Sequence, residues 1–343
     1  MINKIIVPLD GSALAEKALP YATRLAHQLK AGLTLLRVEE SQPAFSSLPA
    51  HAAPGTTGQT SLPSVAVQFG KLEEEEAYLQ QVKTRLIKPE VAFPLTGTQV
   101  ETQVVYGKSP RELATVIKEV KGDIVVMTTH GRSGLSLLML GSIASHLVQH
   151  TTIPVILIRP AASETATTST QPAGEVTTAP IVVTLDGSPN SEAIIEPASN
   201  LALQLGVKLH LLEVVYAIIP DGSGQLYIPP DYDPDRESAE LKGQAEEYLK
   251  RLQAGLQAKG IDCTATVFCG QPAFAVVYNR EPIYLIAEYA RTVKAQLVAM
   301  ATHARGRFWQ VLLGSVSEAE VRQNNLPVML VRMPGHHPQS SED

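Results

Sequence analysis

The chain carries the same stretch twice. The run from Ile5 to Ser12 reads IIVPLDGS and returns from Ile181 to Ser188 as IVVTLDGS. Behind it Glu16/Glu192, Ala22/Ala198, Leu25/Leu201, Ala26/Ala202, Leu29/Leu205, Leu35/Leu211, Leu36/Leu212 and Val38/Val214 keep step at a constant offset. A second block, Thr129-His130 through Arg159, matches Thr302-His303 through Arg332, with Gly141-Ser142/Gly314-Ser315, Pro154/Pro327 and Val155/Val328 in register. Landmarks in one order, twice over, restrict the chain to two copies of one fold. Its 343 residues suit that reading, because a single core seldom grows beyond about 250 residues.

Between the copies, residues 161–179 are mostly Ala, Ser, Thr, Pro and Gly, too poor in large apolar side chains to offset the entropy of ordering them. The expected division is a first domain over 1–160, a flexible linker over 161–179, a second domain over 180–333 and a disordered tail over 334–343. Within each copy, short β-rich apolar runs alternate with amphipathic helical stretches, the pattern of a parallel sheet covered by helices. Strands are expected near 3–9, 33–38, 99–105, 123–128 and 154–158, and again near 180–185, 207–215, 261–268, 296–301 and 327–331. Helices are expected near 12–30, 71–88, 110–120 and 142–150. Each half is therefore an α/β, doubly wound domain. Two long loops, 41–68 and 217–234, break the symmetry, and lid, contact and disorder are all open for them.

The formal charge of −6 comes with no basic stripe, which argues against a nucleic-acid partner. No apolar run exceeds strand length, and the first residues lack a signal-peptide core, so no membrane contact and a cytoplasmic location are expected. Cys263 and Cys269, six apart on one strand, would stand about 20 Å from each other. That is too far for a disulfide, and both are read as reduced packing residues.

Two signals bear on chemistry. An acid closes the first strand of each copy, Asp10 and Asp186. Ligands of open parallel sheets sit beyond the carboxyl ends of the strands, where a carboxylate accepts hydrogen bonds from a base or ribose. The competing role is helix capping, shared with Ser12 or Ser188. The second signal is Thr128-Thr129-His130-Gly131, nine residues, then Gly141-Ser142 opening the last helix. A glycine there lets backbone N–H groups approach an anion, and a helix N-terminus carries partial positive charge; a plain loop with a Gly-Ser cap is the alternative. Arg132 and Arg305 follow the loop position, open between phosphate contact and solvent exposure. His130 and His303 fit a loop-stabilising hydrogen bond better than a general base.

Other patterns read as structure. Gly107-Lys108-Ser109 lacks the earlier glycine of a phosphate-binding loop, and Ser109 to Glu112 reads as a capping box. His146 and His150 have no third ligand nearby, so no metal site is expected. The acidic run Glu73 to Glu76 fits the first turn of a helix.

Taken together, Ile5 to Ser12, Met127 to Leu135, Leu140-Gly141-Ser142 and Ile153 to Arg159 resemble the universal stress protein family, and the arrangement resembles its tandem members. The resemblance implies a Rossmann-like, five-stranded parallel sheet of order 3-2-1-4-5 in each half. It also implies an adenine nucleotide, ATP or AMP/ADP, with or without Mg²⁺. By position, Asp10 and Val38 would hold adenine and ribose, flanked by Pro8, Leu9 and Met127. Thr128, Gly131, Gly141 and Ser142 would surround the phosphates, and His130, Arg132, Ile143 and Ala144 would complete the expected site. A second, weaker site would comprise Leu185, Asp186, Val214, Met300, Ala301, Ala304, Gly314, Ser315 and Val316. There Ala301 and Ala304 replace residues of the phosphate loop, and an alanine in a left-handed turn costs about 1 kcal/mol. The resemblance further implies that the last strands, 154–158 and 327–331, pair with each other as an intramolecular pseudo-dimer, with a homodimer of chains left open. Three functions follow: a nucleotide-binding stress-response protein, a nucleotide-independent interaction scaffold, and a slow ATPase. No catalytic residue is assigned, since no base and no carboxylate cluster stands beside Gly131.

Overall fold

The computed structural model describes residues 1–39, 63–106, 108–129, 141–159, 178–216, 233–270, 281–302 and 326–332. In the first half the elements are β1 (Lys4–Pro8), α1 (Ala13–Glu16), α2 (Leu19–Leu29), β2 (Gly32–Glu39), α3 (Pro63–Leu86), β3 (Val100–Tyr106), α4 (Leu113–Glu119), β4 (Ile124–Thr128), α5 (Ser142–His150) and β5 (Val155–Ile158). The second half gives β6 (Ile181–Leu185), α6 (Ile195–Leu205), β7 (Leu209–Tyr216), α7 (Pro234–Ala258), β8 (Cys263–Gly270), α8 (Glu281–Thr292), β9 (Leu297–Thr302) and β10 (Val328–Arg332).

The strands run in the order β3-β2-β1-β4-β5-β10-β9-β6-β7-β8. Each half is the parallel 3-2-1-4-5 sheet implied by the resemblance, and the halves join where β5 and β10 pair antiparallel, Ile156 opposite Met329. Alternate residues of each strand feed two cores. Ile5, Val7, Leu33 and Leu35 pack in one layer with α2 residues such as Ala22 and Leu25. Ile6, Leu36 and Val125 pack in the other with Val116 of α4 and Leu147 of α5. Burial of both faces explains why the strands read as continuous apolar runs.

Several sequence expectations need correction. The helix expected over 12–30 is two, α1 and α2, because Pro20 lacks an amide hydrogen and stands in the first turn of a new helix. The helix expected from 71 begins at Pro63, so the loop expected to run to 68 is shorter. Glu73 to Glu76 therefore lie inside α3 rather than in its first turn. The second long loop likewise ends before Asp233, whose Oδ1 accepts from Asp235 N and Arg236 N and caps α7 at Pro234. The rest of both loops, nearly all of the linker and the tail lie outside the described residues. Among the described residues no helix is long and apolar enough to cross a membrane.

Candidate functional site

Each acid is fixed by the turn that follows its strand. Gly11 adopts φ +80° and Gly187 φ +74°, a left-handed conformation that glycine takes at little cost. The turn brings Ser12 back, so that its backbone N–H and its hydroxyl both donate to Asp10 Oδ1, at 2.9 and 2.6 Å. Ser12 Oγ in turn accepts from Ala15 N at 3.1 Å and is the N-cap of α1. The second half repeats this: Ser188 N and Oγ donate to Asp186 Oδ1 at 3.0 and 2.6 Å, and Ser191 N donates to Ser188 Oγ. In the first half Ser12 does the capping and Asp10 orients Ser12, so neither of the two roles weighed for Asp10 describes it alone; in the second half Asp186 orients Ser188 in the same way, but the helical turn that follows opens at Asn190 without a side-chain cap. Asp10 is half-buried and Asp186 exposed.

β1 and β4 are parallel neighbours, with Ile5 opposite Ile124 and Ile6 opposite Val125. Asp10 and the Thr128-Thr129 pair therefore emerge at the same end of adjacent strands. Thr129 N donates to Ile158 O, and Gly141 N donates to Thr129 O at 2.7 Å. That bond closes the base of the segment between them, with His130, Gly131 and Arg132, which lies outside the described residues. α5 opens at Gly141, which as N-cap offers no side-chain hydrogen bond; Ser142 is exposed and is not the cap. Among the described residues no side chain caps the first-turn N–H groups of α5, the arrangement that suits an anion.

The remaining expected residues divide by burial. The side chains of Leu9, Met127 and Ala144 are buried in the cores, so only their backbones can meet a ligand. Pro8, Val38 and Ile143 are half-buried. In the second half Leu185 and Met300 are buried, while Val214 and Ala301 are half-buried. Ala304, Gly314, Ser315 and Val316 lie outside the described residues, as do His303 and Arg305.

The repeat hides one difference that motif reading passed over. Arg37 on β2 is 2% exposed. Its Nη2 donates to Glu75 Oε1 of α3 at 2.9 Å and its Nε lies 2.9 Å from Glu75 Oε2 as an ion pair; the guanidinium also pairs with Glu39 and donates to Leu9 O at 3.3 Å, just before Asp10. The residue in step with Arg37 is Glu213, 5% exposed on β7. Glu39 becomes Val215. Tyr78 and Tyr248 stand over the equivalent acids Glu16 and Glu192; counting back from them, Glu75 becomes Ala245. Burial, and next the Asp186 carboxylate, push the Glu213 carboxyl up to about 7. The signal was present in sequence as a charge reversal inside an apolar strand. Glu75, inside the acidic run, is thus an ion-pair partner of Arg37.

The other patterns resolve structurally. Glu112 Oε2 accepts from Ser109 N at 2.8 Å, the capping-box bond, ahead of α4. The His146 and His150 rings stack at 3.8 Å, and His150 Nδ1 contacts His146 O. Burial, then His150 and Arg111, lower the His146 pKa. Cys263 is buried as expected, but Cys269 is exposed rather than packed.

The fold and the strand-end acids define a tandem, doubly wound α/β protein with a turn-held acid beyond the first strand of each half. Residues 1–159 and 178–332 each match the universal stress protein family. The chain belongs to that family, a family of stress-response proteins. A universal stress protein of Mycobacterium tuberculosis is 27% identical over 336 residues, covering 96% of this chain and 95% of the relative. One of Mycolicibacterium smegmatis is 27% identical over 328 residues, with 96% of both chains covered. The crystal structure of a universal stress protein from Archaeoglobus fulgidus superposes with a TM-score of 0.57 over 96% of this chain and 98% of that one, at 16% identity, a likeness of fold.

Proposed function

We propose that the first half binds an adenine nucleotide, ATP or its AMP and ADP counterparts, and that the bound nucleotide fixes a conformation or assembly read by a partner. The observation that carries this reading is the pairing of a turn-held acid, Asp10, with the uncapped start of α5 at the same end of neighbouring strands. Asp10 would accept from ribose or base, and the α5 amides would meet phosphate oxygens. Membership of the universal stress protein family, some of whose members bind ATP, adds support. Calorimetric titration of the nucleotide-stripped protein with ATP tests it. Saturable binding is expected, and no detectable binding at millimolar ATP would overturn it.

A second reading, a contact surface that needs no nucleotide, is favoured for the second half. There Ala301 and Ala304 replace residues of the phosphate loop, and a buried carboxyl, Glu213, stands where the first half has Arg37.

A further inference from the structure

The two strand-end loops are supported from below by opposite chemistry. In the first half Arg37 bridges Glu39, Glu75 and the carbonyl of Leu9, a cation between two carboxylates that ties β2, α3 and the Asp10 loop together. In the second half Glu213 lies directly beneath the Asp186 loop: a methyl group added to Gly187 would sit 3.1 Å from Glu213 Oε1. Its Oε2 is buried and has no hydrogen-bond partner among the described residues.

Among the described residues the groups around it offer no compensation. Its sheet neighbours are Leu185 on β6 and Val267 on β8, and Ala245 stands on α7 where α3 carries Glu75. The titratable groups nearby are the Asp186 carboxylate, the Tyr248 phenol on α7 and, beyond the phenol, Glu192. All are anionic or neutral, and no cation among the described residues acts on Glu213. A buried carboxylate without a cation is costly, whereas the neutral acid is tolerated.

We propose that Glu213 is a proton-controlled positioning residue: as a neutral acid it supports the Asp186 loop, and on losing its proton to solvent it repels Asp186 and loosens that loop. The second half then responds to pH around neutrality, where the first, held by Arg37, does not. That the loop serves a ligand rests on the nucleotide reading; the loop response does not, and it is measured without nucleotide, so each fails separately.

The carboxyl titrates at an ordinary 4.5 in the unfolded chain and near 7 when folded. Protection is therefore full below about 4.5 and declines as pH rises through 7. Hydrogen exchange of the full chain, corrected for intrinsic amide rates, reads this at residues 186–191. Between pH 6 and 8 protection there is expected to fall about tenfold, while residues 10–15 stay level. In Glu213→Gln the fall disappears. A level profile in the wild type, or an undiminished fall in Glu213→Gln, overturns the proposal. If Glu213→Gln fails to fold, carboxyl-carbon NMR titration of the wild type decides: a Glu213 midpoint near 7 supports the proposal, and one near 4.5 overturns it.

Discussion

Asp10 and Arg37 stabilise one loop by different physics, and substitution separates them. Asp10 is half-buried with its carboxylate held by the turn after β1, and under the proposed nucleotide reading Asp10→Ala is expected to weaken ATP binding about tenfold, the worth of a charge-assisted hydrogen bond. Calorimetry checks this, with folding left intact by circular dichroism. Arg37 is buried between carboxylates, and Arg37→Met would leave Glu75 facing an apolar wall. A loss of about 3 kcal/mol in urea unfolding is expected, since breaking one side of a buried ion pair exposes the full desolvation cost of the other. Asp10 was legible in the sequence because it sits in a repeated motif at a strand end. The pairing of Arg37 was not, because its partner Glu75 is 38 residues away and only the fold brings α3 over β2.

The helices show where element-level reading succeeds. α5 was legible to the residue because Gly141-Ser142 and the apolar spacing of Leu147 and Val148 agree. The start of α3 was not: Pro63, Ser64 and Gly70 are residues of turns, and no charge appears before Lys71 to mark a solvent face. α2 and α6 end alike, in a left-handed C-cap, but with Lys30 at φ +54° in one and Gly206 at φ +66° in the other. A Cβ at that φ costs about 1 kcal/mol. Lys30→Gly is expected to stabilise the protein by roughly 0.5 to 1 kcal/mol, and Gly206→Ala to destabilise it by about 1 kcal/mol. Thermal unfolding of the pair of variants tests both signs at once.

At the scale of the whole molecule, one continuous sheet runs through both halves because β5 and β10 satisfy each other's edges. A fragment of residues 1–159 would expose β5, whose Val155, Ile156 and Leu157 are buried in the intact chain. It is expected to pair with its own copy, and light scattering should give twice the fragment's mass. The order of strands within each half was legible through the family resemblance, and the apolar character of β5 and β10 marked them as partners. Their register was not, because two short apolar strands of similar composition can slide without changing which face is buried by twos.

The antiparallel seam also has a consequence for inheritance. In a dimer of identical half-length chains, each substitution is written on both sides of the two-fold axis. A charge reversal beneath one strand-end loop would then appear beneath the other. Here the two sides are separate stretches of a single gene, so Arg37 and Glu213 can diverge while β5 and β10 keep their pairing. Covalent fusion turns a symmetric partnership into one whose members are free to specialise.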